Sequence, residues 1–238
     1  MAPENNYVKG LDSLIALDLK RTSVPYSGDH ETHFLRLQSL LRCSIEHCRA
    51  AFEIAKQGQI LSALVLARTA LEHALLARFL DQAPDGHELS EIVMDKHLSD
   101  LSKMAGLAGS TESSAQLREL LKFKQVDHDR VPTSPNTLIE KFNQREMLKH
   151  MYFLLSQASH PISAFLQYVD LEEDGSKKRI RRNSLNKDLT SVLPFLFQIL
   201  AIALLTDASI SNDRELEESV FQTASATFNA TDLKLTTE

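Results

Sequence analysis

Two charged residues four positions apart interrupt the run ILSALVLARTALEHALLARFL. At about 100° per residue along a helix, Glu72 falls about 40° from Arg68, on the face that carries Leu61, Leu75 and Phe79. Burying an ion costs several kcal/mol before attraction offsets it, and apolar side chains would often serve as well. The pattern predicts either a site in which Arg68 holds an anion and Glu72 orients it or moves protons, or an internal salt bridge that sets the helix register.

A second polar stripe lies in NQREMLKHMYFLLSQASHP. Its members Arg145, Lys149, Tyr152, Ser156 and His160 share an arc of about 80° on a straight helix. A solvated face explains the two cations, whereas Tyr, Ser and His are uncommon choices there. The histidine stands directly before a proline, at a predicted helix C-terminus, which favours its charged form.

The two stripes together would form a polar cluster of Arg, Glu, Tyr, Ser and His, if the second stripe packs against the Arg68 face. Such a set could bind a phosphate or carry out metal-free acid–base chemistry. The predicted catalytic residues of this cluster are Arg68, Glu72, Tyr152, Ser156 and His160.

The segments ARTALEHALLARFL and YFLLSQASHP resemble a large bacterial family of helical domains of unknown function. In that family an R-x-x-x-E helix is followed by a helix that ends in S-x-x-x-H-P. The matching positions here are Arg68 with Glu72, then Ser156 with His160. The resemblance spans roughly residues 35–170, and it implies a helical fold without implying a reaction.

A weaker resemblance is to HEPN domains, helical bundles often found in metal-independent ribonucleases of toxin–antitoxin and anti-phage systems. Their mark is an Arg followed four to six residues later by His, and Arg145 with His150 fits that spacing. The resemblance implies catalysis at a dimer interface, by acid–base chemistry at the ribose 2′-hydroxyl. This copy departs from the usual motif because the acidic Glu146 follows the arginine. The two motif residues also lie about 140° apart on a straight helix, so they need a kink or a dimer interface to cooperate.

A basic run follows an acidic one between residues 170 and 184. It could steer a phosphate backbone, or it could be a solvated linker whose charges are balanced by the run from Asp170 to Asp174. The predicted nucleic-acid-binding residues are Lys149, Lys177, Lys178, Arg179, Arg181 and Arg182.

The sequence contains no motif typical of a metal site, a nucleotide site or a hydrolase. Cys43, His47 and Cys48 lie close together, but a zinc site needs about four ligands and no second ligand pair is evident. Phosphate-binding P-loops, dinucleotide-binding glycine motifs and the nucleophile elbow of hydrolases are likewise missing. We therefore expect neither a metal nor a cofactor.

The composition indicates the fold class and the cellular compartment. The chain has 238 residues, a net charge of −6, and 43% hydrophobic and 24% charged residues, which is typical of one globular domain. Seven glycines and seven prolines are few chain-breakers, so helices are favoured over a many-turned β fold. Two cysteines provide no disulfide framework, and the polar N-terminus lacks a signal-peptide core. We expect a cytoplasmic protein with no membrane segment, in which the apolar stretch from Val192 to Leu205 is a buried core helix.

Hydrophobic periodicity predicts an all-α bundle of about seven or eight helices. We expect a weakly structured N-terminal extension over residues 1–28, in which LDSLIALDLK could form a short helix, then a single bundle over 29–230 that contains the charged linker 170–184, and a tail over 231–238. The predicted helices cover approximately residues 29–57, 59–81, 88–104, 110–125, 135–160, 185–205 and 212–228.

Two functional hypotheses remain open on these residues. One is a HEPN-like, metal-independent ribonuclease or effector in anti-phage defence or toxin–antitoxin biology, acting on RNA as a homodimer. The other is a non-catalytic helical interaction module in which the Arg68–Glu72 pair is structural. Either could bind a protein partner encoded in the same operon.

Overall fold

A computed structural model describes residues 3–26, 30–107, 130–132, 134–157, 169–174, 177–182 and 192–228. Within these ranges the chain forms eight helices and one antiparallel hairpin, which confirms the predicted all-α bundle. The elements are α1 (Pro3–Lys20), α2 (Glu31–Lys56), α3 (Ile60–Gln82), α4 (Gly86–Leu107), α5 (Pro135–Ile139), α6 (Arg145–Gln157), β1 (Val169–Asp174), β2 (Lys177–Arg182), α7 (Leu193–Ser211) and α8 (Arg214–Phe228).

Helices α3 and α7 form the centre of the bundle. Helix α3 packs against α2, α4, α5, α6 and α7, while α7 also contacts α1, α2 and α8. Small residues on α3 let neighbouring helices approach closely, since each is fully buried and contributes only a methyl group. These residues are Ala63, Ala67, Ala70, Ala74 and Ala77.

The N-terminal segment is more ordered than the sequence predicted. It forms the 18-residue helix α1, which packs against α7 and α8. Leu11 and Leu14 are fully buried. The expectation of a weakly structured entry is wrong here, because these leucines have enough apolar surface to dock the helix on the bundle.

The helix predicted over 135–160 is two helices. Its start is confirmed, since Pro135 occupies the first turn and Ser134 forms a capping box with Thr137. A tight turn then follows α5, in which Phe142 is fully buried and its N–H donates to the carbonyl of Ile139. The free energy gained by burying that aromatic ring exceeds the cost of interrupting the helix. The second helix, α6, therefore begins only at Arg145.

The predicted charged linker contains a hairpin instead. The register of β1 and β2 pairs the acidic strand with the basic one, as in Glu172 with Arg179 and Glu173 with Lys178. The acidic run and the basic run thus form two paired strands. The helix predicted over 110–125 and the tail predicted over 231–238 lie outside the described residues.

Candidate functional site

Arg68, Glu72 and Tyr152 meet between α3 and α6. The Nε atom of Arg68 donates to Oε1 of Glu72 at 3.1 Å, and its Nη2 atom donates to the Tyr152 hydroxyl at 2.8 Å. That hydroxyl donates to the same Glu72 oxygen at 3.1 Å. We call these three residues the α3–α6 cluster. It joins two helices that are about eighty residues apart in the chain.

Local packing explains this placement. Arg68 and Glu72 are one turn apart on α3, so their side chains share a face. On α6, Leu148, Met151 and Leu155 are buried and fix which face of the helix meets α3. Tyr152 lies beside that apolar stripe and therefore reaches the charged pair.

The Arg68–Glu72 pair is less buried than the sequence predicted. Each side chain retains 33% of its accessible surface, so the pair lies at the edge of the bundle. The expectation of ions placed among leucines in the core is therefore wrong, and the large desolvation cost does not arise. An exposed helical pair of this spacing contributes about 0.3–0.5 kcal/mol. The guanidinium also lies over the Tyr152 ring, with 5.1 Å between Cζ and the ring centroid, which is cation–π geometry.

The environment keeps the tyrosine protonated at neutral pH. Partial burial, followed by the negative charge of Glu72, raises the pKa of Tyr152 above its ordinary value. Burial alone would lower the pKa of the Arg68 guanidinium. The hydrogen bond to Glu72 and the attraction of Tyr152 and Glu72 outweigh burial, so the pKa is raised overall. The cluster thus offers a cation, a carboxylate and a neutral phenol that can donate a proton.

The remaining members of the predicted cluster are placed only in part. Ser156 follows Tyr152 by one turn on α6, and its Oγ atom is shielded from solvent. His160 lies outside the described residues. The structure therefore brings together three of the five residues and puts a fourth beside them.

The other α6 residues have different surroundings. The Lys149 ammonium binds Glu140 at 2.6 Å and Glu146 at 3.3 Å. These hydrogen bonds, that of Glu140 first, raise the pKa of Lys149. Its partners are thus surface carboxylates on α6 and on the turn after α5. Arg145 and His150 are both exposed on α6.

Apolar side chains flank His150 on the exposed side of α6. Met147 and Phe153 retain 40% and 58% of their accessible surface, at three residues before and after the histidine. We call Met147, His150 and Phe153 the α6 outer face. The basic strand β2 holds the other predicted phosphate-binding residues, and its register places most of them opposite acidic residues of β1.

In the described part of the chain, the carboxylates that are almost fully buried lie elsewhere, in contacts that sequence reasoning missed. Asp207 on α7 is 1% exposed and accepts hydrogen bonds from Arg21 and, at 2.6 Å, from Nε2 of Gln38. Asp18 on α1 is also buried and pairs with Arg42 of α2. Burial raises the pKa of Asp18, with the Arg42 charge opposing that effect.

The signal for these contacts was present in the sequence. Asp207 interrupts the apolar run LLTDASI, as Arg68 and Glu72 interrupt theirs. The prediction ended the apolar helix at Leu205, whereas α7 continues to Ser211 and carries the aspartate into the core.

The described residues bear on two further possibilities, a metal site and a membrane-spanning helix. There, no group of three or more His, Cys, Asp and Glu side chains is arranged to hold a metal ion. On length and composition alone, α3 and α7 could each span a membrane. However, 50% of the tested window of α3 and 67% of that of α7 are buried inside the protein, as in the core helices of many globular folds.

The comparisons with known proteins give one match. Residues 35–177, more than half of the chain, match a family described as a family of unknown function (DUF5677). The matched segment includes the α3–α6 cluster and the α6 outer face. Neither the curated proteins nor the solved structures contain a match to this sequence. The chain is therefore a member of the DUF5677 family.

Proposed function

We propose that this protein is a cytoplasmic, HEPN-like, metal-independent endoribonuclease that acts in anti-phage defence or toxin–antitoxin biology. The observation that carries the proposal is the α3–α6 cluster. It combines a guanidinium, a carboxylate and a phenol within hydrogen-bonding distance, and the charged pair keeps a third of its surface accessible to a ligand.

These three groups suffice for RNA cleavage by transesterification. Glu72 takes the proton of a ribose 2′-hydroxyl, whose oxygen then attacks the adjacent phosphorus. As the bond from phosphorus to the 5′-oxygen breaks, Tyr152 gives its proton to that oxygen, and Arg68 stabilises the charge on the phosphoryl oxygens. The products are a 2′,3′-cyclic phosphate and a 5′-hydroxyl. The proton on Glu72 then returns to Tyr152 along their 3.1 Å hydrogen bond, which restores both groups.

The HEPN-type pair supplies a second possible set of groups. Within one chain, Arg145 and His150 are about 140° apart around α6, so a single copy does not join them. Joining them takes a dimer contact in which the Arg145 side of one α6 meets the α6 outer face of the other copy, which carries His150. Met147 and Phe153 provide apolar area for that contact. The proposal therefore includes a homodimer formed through α6.

A non-catalytic interaction module is the second candidate, and one observation favours it. The hydrogen bonds of the α3–α6 cluster close on one another, so the three residues can act solely as a structural tie between two helices. In that case α6 would serve as a docking surface for a protein partner, either one encoded in the same operon or a second copy of this chain. The two candidates differ in whether RNA is cleaved.

The deciding experiment measures cleavage of a fluorescent single-stranded RNA in the presence of EDTA. We expect Glu72→Gln and Tyr152→Phe to lower the rate by about 10²-fold or more, the usual effect of removing a general base or acid. Glu46→Gln is the matched control, because Glu46 forms a surface pair with Arg49 within α2 and should retain full activity.

The outcomes distinguish the α3–α6 cluster from the α6 outer face, and the nuclease from the interaction module. Loss of cleavage in His150→Ala together with normal rates in Glu72→Gln would assign the chemistry to the α6 outer face and refute the role of the cluster. Equal, background-level cleavage in the wild type and every variant would reject the nuclease and leave the interaction module. Circular dichroism of each variant checks that the fold is intact.

A further inference from the structure

A groove between α2, α3 and α4 lies on a different face of α3 from the α3–α6 cluster. Its volume is about 620 Å³, within the range of small-molecule sites. Leu40, Leu76 and Val93 are among the apolar side chains that line it, with Leu35 and Met94 among the more exposed ones. An organic molecule with an apolar body would bury surface here.

The lining of the groove includes a positive charge. Arg36 lines the groove and donates through Nη1 to the hydroxyl of Ser90 at 3.2 Å. Ser90 is itself held by a 2.8 Å hydrogen bond to the carbonyl of His87, so it orients the guanidinium. Within the described part of the chain Arg36 forms no ion pair.

Among the groove-lining residues that the structure describes, no carboxylate balances this charge. Arg36 is the one permanently charged side chain among the groove-lining residues that the structure describes. His73 also lines the groove, and burial, then the neighbouring His47, lowers the pKa of its imidazole, so it stays neutral at pH 7. An apolar groove with a single oriented guanidinium is complementary to an amphiphile with one anionic head group.

We propose that this groove binds a small amphiphilic carboxylate, such as a medium-chain fatty acid, with its carboxylate on Arg36 and its chain along Leu40, Leu76 and Val93. The site is independent of RNA cleavage, because it uses none of the α3–α6 cluster residues.

The chain contains a natural reporter for occupancy of this groove. Cys43 lines the groove and is exposed, whereas Cys48 is fully buried. Burial also raises the pKa of the Cys48 thiol, so this thiol does not react in the folded protein. Alkylation by iodoacetamide, measured by intact mass, therefore reports occupancy of the groove at Cys43 and unfolding of the protein at Cys48.

The test titrates decanoate, decanol and decyltrimethylammonium into the full chain, below their micelle concentrations, by isothermal calorimetry. We expect decanoate to bind about 10- to 100-fold more tightly than decanol, the difference that a charge-assisted hydrogen bond provides. The cation should bind more weakly still. Decanoate should also slow alkylation of Cys43.

Variants locate the head group. Arg36→Gln should abolish the preference for decanoate over decanol, and Arg36→Lys should restore part of it. Arg49→Gln is the matched control, since Arg49 lies on α2 but outside the groove. Reactivity of Cys48 shows that a variant has unfolded. If Arg36→Gln unfolds, the preference of Arg36→Lys for decanoate over decanol is the test instead.

Four results would overturn the proposal. They are absence of saturable decanoate binding, equal affinities for decanoate and decanol, unchanged decanoate affinity in a folded Arg36→Gln, and decanoate binding that leaves Cys43 unprotected.

Discussion

Replacing Asp207 by alanine tests which charges stabilise this bundle. Asp207 is almost completely buried, and its two carboxylate oxygens bind Arg21 and Gln38. The substitution leaves a guanidinium that is 13% exposed without its main partner. Removing one member of a buried ion pair usually costs about 3–5 kcal/mol.

Secondary partners of Arg21 reduce this loss. Its Nε atom lies 3.4 Å from Asp213, and its Nη2 atom donates to Ser211 at 3.2 Å. Both could hold the guanidinium after Asp207 is removed, so we expect a loss of about 3 kcal/mol, at the low end of that range. For Glu72→Ala we expect only about 1 kcal/mol, because it removes a partly exposed ion pair together with the hydrogen bond that Tyr152 donates.

Urea denaturation followed by circular dichroism measures both variants against the wild type. The change in free energy of unfolding comes from the shift in midpoint multiplied by the common slope. The reasoning fails if Asp207→Ala costs less than about 1 kcal/mol, the size of a surface pair. It also fails if Glu72→Ala is the more destabilising variant, since the burial of the two pairs predicts the opposite order.

Further predictions concern pH, packing and thiol chemistry. Because burial lowers the pKa of His73 below its ordinary 6.5, the unfolded chain binds more protons in that window, and stability should fall as the pH drops from 6.5 towards the folded pKa. Unfolding curves at pH 7 and 5.5 should show this fall, and it should be smaller in His73→Asn. Gly10→Ala should lower the melting temperature although alanine favours helices, because a Cβ atom there would lie 2.7 Å from the Phe197 ring. A rise would refute the packing. In the native protein a thiol reagent should modify Cys43 alone, and both Cys43 and Cys48 after unfolding. Rapid native labelling of the second thiol would contradict its burial.

The position of Tyr152 shows where sequence reasoning stops. Its helical face follows from the buried residues around it on α6 and could be predicted. Its contact with Arg68 depends on how α3 and α6 slide and rotate against each other, which is set by packing between residues far apart in the chain. The break before α6 depends in the same way on burial of Phe142.

The helical class could be predicted from the sequence alone, because few chain-breakers and a 3.6-residue apolar period are local properties. The same local pattern identified Arg68 and Glu72 as a pair on one face of α3. Their place at the edge of the bundle, and that of Asp207 in the core, could not be predicted in this way. Burial depends on which neighbouring elements cover a residue, and packing between segments far apart in the chain sets that cover.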